Sequence, residues 1–156
     1  MLNITVPDAD ELHLEHLVLD FNGTLACDGA LLGGVAERLQ RLSSHMALHV
    51  VSGDTFGRAR QALDGVPCRL VILDPVGQSE AKLQYVERLG ADTVACIGNG
   101  RNDRLMMDIA ALGIVVVQTE GASPQTLLAA DVVTRDIQDA LDLLLHPLRL
   151  AATLRA

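Results

Sequence analysis

Short apolar runs alternate with amphipathic stretches from residue 16 to residue 135, and this alternation restricts the fold more than any other feature of the chain. The runs are HLVLDF (16–21), ALHVVSG (47–53), CRLVILD (68–74), DTVACIG (92–98), GIVVV (113–117) and DVVTR (131–135). They are too apolar to leave one face in water, so each predicts a strand buried on both sides. Between the first two, GVAERLQRLSSH (34–45) places Val35, Leu39 and Leu42 on one helical face; further helices are predicted over 56–64, 79–90, 102–111, 124–130 and 136–145. Gly90 and Gly113 stand where a helix end takes a left-handed residue. The pattern predicts an α/β fold: a doubly wound, mostly parallel sheet flanked by helices on both faces. No repeat or low-complexity segment interrupts it. One domain over 1–156 is expected, with a motif-bearing core at about 16–145 and a tail, 146–156, that forms a short helix or frays.

Composition removes several function classes. With 156 residues the chain is long enough for one sizeable core. Aromatics are 2%, too few to stack nucleic-acid bases. Twelve Lys and Arg against twenty Asp and Glu give a net charge of −8, which disfavours a polyanionic partner, so no nucleic acid is expected. Cys27, Cys68 and Cys96 have no C-x-x-C spacing, and no H-E-x-x-H occurs. Scattered cysteines, an acidic N-terminus and no apolar run of membrane-spanning length imply a cytoplasmic setting away from the membrane.

In open α/β sheets, ligands bind beyond the carboxyl ends of the strands. The residues there are Asp20 and Asn22, then Ser52, then Asp74, then Asn99, Asn102 and Asp103. Each alone has a plainer explanation. Asp20 suits an Asx turn, Ser52-Gly53-Asp54 is ordinary turn chemistry, and Asp54 suits the cap of the following helix. Lys82 is the only lysine, the other eleven basic residues being arginine, and its compact ammonium suits a phosphoryl oxygen. The segment CIGNGRNDRLMM (96–107) fails the G-x-G-x-x-G pattern, because Asp103 stands at the last position. Met106 and Met107 read as core, His45 and His49 as structural, and Cys27 as a small packed side chain.

In chain order, D-F-N-G-T, V-V-S-G-D, Lys82 and G-N-G-R-N-D resemble the four motifs of the haloacid dehalogenase-like phosphohydrolase superfamily. Steps of 32, 30 and 17 residues separate Asp20, Ser52, Lys82 and Asn99, and the likeness extends from 16 to about 133. Within the superfamily the chain looks most like small proteins similar to the phosphorylation domain of P-type ATPases. The resemblance implies that Asp20 is a nucleophile forming an aspartyl-phosphate. It implies that Ser52, Gly53, Lys82 and Asn102 hold the phosphoryl group. It also implies that Mg²⁺ lies among Asp20, the Asn22 carbonyl, Asn99 and Asp103.

The chain departs from that pattern twice. Asn22 stands where the family has the carboxylate of a general acid–base, and Asn99 where it has a metal-ligating Asp. Loss of acid–base help, typically worth ~10²–10⁴-fold, implies a slow phosphohydrolase. A phosphate-binding or phospho-accepting module without efficient turnover is the alternative, followed by a scaffold that keeps only the fold. A receiver-like signalling domain and a dinucleotide-binding domain fit less well, the first in the order of its carboxylates and the second for want of its glycine fingerprint. No room exists for a cap insert between Asp28 and Ser52 or between Asp74 and Lys82, so an open site is expected, with 25–32 as a small flap. Such a site suits a phosphorylated small molecule or macromolecule, or a homo-oligomer whose second subunit covers it.

Overall fold

A computed structural model describes residues 1–156. In chain order it contains β1 (Leu2–Ile4), β2 (Leu12–Leu14), β3 (His16–Leu19), β4 (Ala26–Cys27), β5 (Ala30–Leu31), α1 (Val35–Leu42), β6 (Ala47–Ser52), α2 (Ala59–Ala62), β7 (Arg69–Ile72) and α3 (Gln78–Leu89). After a 3₁₀ turn at Ala91–Thr93 come β8 (Val94–Gly98) and a second 3₁₀ turn at Arg101–Asp103. Then follow α4 (Arg104–Ile109), β9 (Leu112–Val116), α5 (Pro124–Ala129), β10 (Val132–Thr134), α6 (Ile137–Leu145) and α7 (Pro147–Leu154).

Six strands form one parallel sheet in the order β10-β9-β8-β3-β6-β7. The chain runs outward from β3 through β6 to β7, then returns to β8 on the other side of β3 and runs outward again. The switch point, where such sheets open a crevice, therefore lies between β3 and β8. Register pairs Leu19 with Val50 on one side and Ile97 on the other, so Asp20, Ser52 and Asn99 leave three adjacent strands at nearly the same height.

Both sheet faces are covered over the inner strands, as the apolar runs predict, but the edge strands β7 and β10 have a neighbour on one side only and leave Ile72 and Val133 about half exposed. Leu17 and Leu19 of β3, Val50 of β6 and Ala95 and Ile97 of β8 join a large cluster with Leu39, Leu42, Leu141 and Leu144 of α1 and α6. The intervening Val18, Val51 and Cys96 join a smaller cluster with Tyr85 and Val86 of α3 and Met106 and Met107 of α4. Arg38 of α1 donates Nε and Nη2 to the two oxygens of Asp142 on α6, at 2.8 and 3.0 Å, tying those helices together. The tail is ordered: α7 buries Leu150 and Ala151 in the large cluster.

Several boundaries differ from the sequence reading. The helix expected over 56–64 shortens to Ala59–Ala62, since Asp54 and Gly57 take positive φ ahead of it. Gly90 closes α3 at φ 92° as expected, but Gly113 lies inside β9. There a side chain would meet Met107, 2.9 Å from the Cβ position, so close helix–sheet packing is what requires glycine. Two small antiparallel hairpins, β1–β2 and β4–β5, were not anticipated as strands, although the second lies in the expected flap. No helix is long and apolar enough to cross a membrane.

Candidate active site

Lys82, four residues after Gln78 at the start of α3, has a side chain that is 0% exposed. Its ammonium donates to Asp20 Oδ1 at 2.7 Å and to Asp103 Oδ1 at 2.6 Å. A buried charge is costly unless paired, and this cation is paired twice. Burial alone would lower the lysine's pKa, but Asp103 and Asp20 hold it above the usual value. Burial, followed by repulsion from Asp103, pushes the Asp20 carboxyl up to about 6 despite the lysine. The trio carries one net negative charge. Two of the three ammonium protons are bonded within it.

The turns around this trio are built from their own side chains. Asp103 Oδ2 accepts from the Asn99 and Gly100 amides, both at 2.9 Å, which shapes the turn after β8. Thr24 Oγ1 lies 3.3 Å from Asp20 Oδ2 and 3.1 Å from Asn99 Oδ1, and its single proton serves one of them at a time. Asn99 Nδ2 donates to the Gly121 carbonyl at 3.0 Å, which turns the amide oxygen towards Thr24. Asn22 Oδ1 is buried without a hydrogen-bond partner. Ser52, 2% exposed, accepts from the Asp54 amide through Oγ at 3.0 Å. Asn102 Nδ2 donates to Gln78 Oε1 at 2.8 Å, and the same Gln78 amide packs so closely on Gly53 that a side chain there would displace it.

Asp20, Asn22, Ser52, Asn99, Asn102 and Asp103 therefore gather at the carboxyl ends of β3, β6 and β8, with Lys82 near the start of α3, whereas Asp74 follows the edge strand β7 and is exposed, apart from the trio. Asp103 differs in its engagement: both its oxygens are bonded, to the lysine and to the turn, rather than presented to a metal. No three His, Cys, Asp or Glu side chains converge as a metal cluster. The oxygens suited to a cation are those of Asp20, Asn99 and the Asn22 main chain, a hard all-oxygen set that fits Mg²⁺. With one anionic donor among them, affinity for the ion leans on the phosphate a substrate brings.

Three contributors were not singled out from the sequence. Thr24 stood unassigned within D-F-N-G-T, and Gln78 precedes Lys82 by one helical turn. Glu120 follows β9, the one strand end of the central sheet from which no candidate was drawn before the tail-side β10. Among the other candidates, Asp54 does cap α2, its Oδ1 accepting from the Arg58 and Ala59 amides at 2.9 Å. His49 is structural, between His16 (3.1 Å) and the Tyr85 hydroxyl (2.8 Å), whereas His45 is exposed. Cys27 is half-buried; burial and the carboxylates of Asp28 and Glu120 push its thiol up, away from a reactive thiolate.

The fold is that of the haloacid dehalogenase superfamily phosphatases. The 3-deoxy-D-manno-octulosonate 8-phosphate phosphatase of Moraxella catarrhalis, solved with magnesium, phosphate and the sugar acid, superposes with a TM-score of 0.72 at 20% identity, over 86% of this chain and 87% of that one. The cobalt-bound phosphatase of the same substrate from Haemophilus influenzae gives 0.72 at 16% identity, over 92% and 94%. No cap domain is inserted in the present chain. No family model matches the sequence. In sequence, the chain is 48% identical over 79 residues to the uncharacterised protein MJ0073 of Methanocaldococcus jannaschii, covering 48% of this chain and 85% of that protein. It is 44% identical over 39 residues to MJ0072 of the same organism, covering 25% and 89%. The chain belongs to the family of these archaeal proteins.

Proposed function

We propose that the protein is a Mg²⁺-dependent phosphohydrolase that works through an aspartyl-phosphate on Asp20. The observation that carries this reading is the fully buried Lys82 held between Asp20 and Asp103 at the sheet's switch point. A carboxylate at a strand end with a fixed cation beside it is placed to attack phosphorus while the cation offsets the charge on the phosphoryl oxygens. Asp20 forms the new O–P bond as the bond to the leaving oxygen breaks. Water then attacks the aspartyl-phosphate, freeing orthophosphate and the Asp20 carboxylate. Ser52 ends β6 and Asn102 lies within the 3₁₀ turn after β8, where a hydroxyl and an amide can hold the transferred group. Bound Mg²⁺ would supply neutralisation of the phosphate charge and its orientation.

Asn22 sets the limits of this chemistry. An amide gives no proton to the leaving oxygen and takes none from water. Substrates whose leaving group needs no proton, acyl and aryl phosphates or phosphoanhydrides, should react ahead of alkyl phosphates. Hydrolysis of the phosphoenzyme should be slow. The absence of a capping insert admits either a small phosphorylated molecule or a phosphorylated macromolecule.

The test is phosphate release from acetyl phosphate, an aryl phosphate and an alkyl sugar phosphate, with and without Mg²⁺, for the wild type and Asp20→Asn. Mg²⁺-dependent release that disappears in the variant is the expected result. Asn22 also favours a second reading, a phospho-accepting module, for which the wild type would take up the phosphoryl group without releasing phosphate.

A further inference from the structure

The loop joining β9 to α5 is fastened to both turns that form the site. Gln118 Nε2 donates to the carbonyls of Gly23 and Thr24, at 3.1 and 2.9 Å, while its Oε1 accepts from the Ile137 amide at 2.8 Å. On the other side Asn99 Nδ2 donates to the Gly121 carbonyl, and the Ser123 amide donates to the Asn99 carbonyl at 2.8 Å. Between these fastenings the loop presents Glu120. A Cβ at Gly23 would stand 2.6 Å from Glu120 Oε2, 2.5 Å from Asn99 Nδ2 and 2.9 Å from Asn99 Oδ1. The Glu120 carboxylate and the Asn99 amide thus share the space above Gly23, whose φ of 79° and lack of a side chain leave it open. Glu120 makes no ion pair, and Lys82 is the one cation held within the site.

Asn99 brings a neutral oxygen to the side of the site where a divalent cation needs anionic ones. We propose that Glu120 restores that charge: its carboxylate accepts a hydrogen bond from water bound to the cation held by Asp20 and Asn99. The assignment rests on the cation-assisted reading given above. It places the acceptor one water away, in keeping with the lack of a third converging acidic ligand and with the several waters that Mg²⁺ keeps. Acceptors in that position are typically worth ~10–100-fold in metal affinity.

The experiment is calorimetric titration of Mg²⁺ into the whole chain in the presence of inorganic phosphate, for the wild type, Glu120→Gln, Asn99→Asp and the double variant. Glu120→Gln should weaken Mg²⁺ by about 10-fold or more. The same substitution should cost little once Asn99→Asp supplies the charge directly. Because Glu120 is exposed, its variant should melt with the wild type when Mg²⁺ is absent. Equal Mg²⁺ affinities for wild type and Glu120→Gln, or an equal loss in both backgrounds, overturn the assignment. Phosphate release tells its failure from that of the broader reading. Asp20-dependent release with Mg²⁺ affinity indifferent to Glu120 overturns Glu120 alone; a wild type that neither binds Mg²⁺ nor releases phosphate overturns both.

Discussion

Replacing Lys82 with Met removes the ammonium but keeps most of the volume, and leaves Asp20 and Asp103 facing each other in a buried space. Breaking a buried ion pair by removing one partner costs about 3–5 kcal/mol, because a buried charge is left uncompensated. At this chain length each kcal/mol moves the melting temperature by about 2–4 °C, so a fall of roughly 6–20 °C is expected. The loss should depend on pH. Burial and Asp103 already push Asp20 up to about 6 with the lysine present, and without it the carboxyl pKa rises further. A carboxyl whose folded pKa lies above its unfolded value contributes stability at low pH and loses it as pH rises through the folded value. The Lys82→Met penalty should therefore be full at about pH 8 and shrink towards about pH 5, where Asp20 is protonated. Urea denaturation of both proteins across that range measures it, and adding Asp103→Asn should recover much of the loss at the higher pH. A penalty below about 1 kcal/mol, typical of an exposed pair, or one that does not change with pH would refute this account of the trio.

Asn22→Asp should speed phosphate release by about 10²-fold or more if the missing acid–base group limits turnover, read as steady-state release from acetyl phosphate. Gly23→Ala should lower Mg²⁺ and phosphate affinity together, since its methyl meets Asn99 and Glu120 and the left-handed backbone resists any side chain. Burial, then the neighbouring His16 and Arg69, lower the His49 pKa from 6.5 to about 4. A depressed base is neutral in the fold, so its contribution holds above about 6.5 and is lost as pH falls towards about 4. Comparing acid denaturation of wild type and His49→Gln should show the wild type losing more stability than the variant as pH falls through that window, by about 1 kcal/mol.

The centre of the sheet was legible because β3, β6, β8 and β9 are buried on both faces and β3 and β8 end abruptly in polar residues, as LVL gives way to Asp20 and CIG to Asn99. Asp20 was legible for the same reason, and Lys82 because it is the only lysine in the chain. The two hairpins were not: β1 and β2 have three residues each, β4 and β5 two, too few for a period to show. Gly113 was misplaced because a glycine after a helical stretch fits either a cap or a strand packed tightly on a helix. The family resemblance implied a metal-ligating Asp103, and only three-dimensional contacts show its oxygens turned to Lys82 and two amides. Gln78 and Glu120 reach the site through packing of a helix start and a loop, which no motif spacing records.

The most direct test is acid-quenched mass analysis after incubation with acetyl phosphate and Mg²⁺, with borohydride reduction to mark any acyl phosphate. One phosphoryl group on the peptide containing Asp20, absent from Asp20→Asn and labile at neutral pH, is the expected result. Phosphate release with no acyl phosphate at Asp20, and no dependence on that carboxylate, would contradict the nucleophilic role on which the account rests.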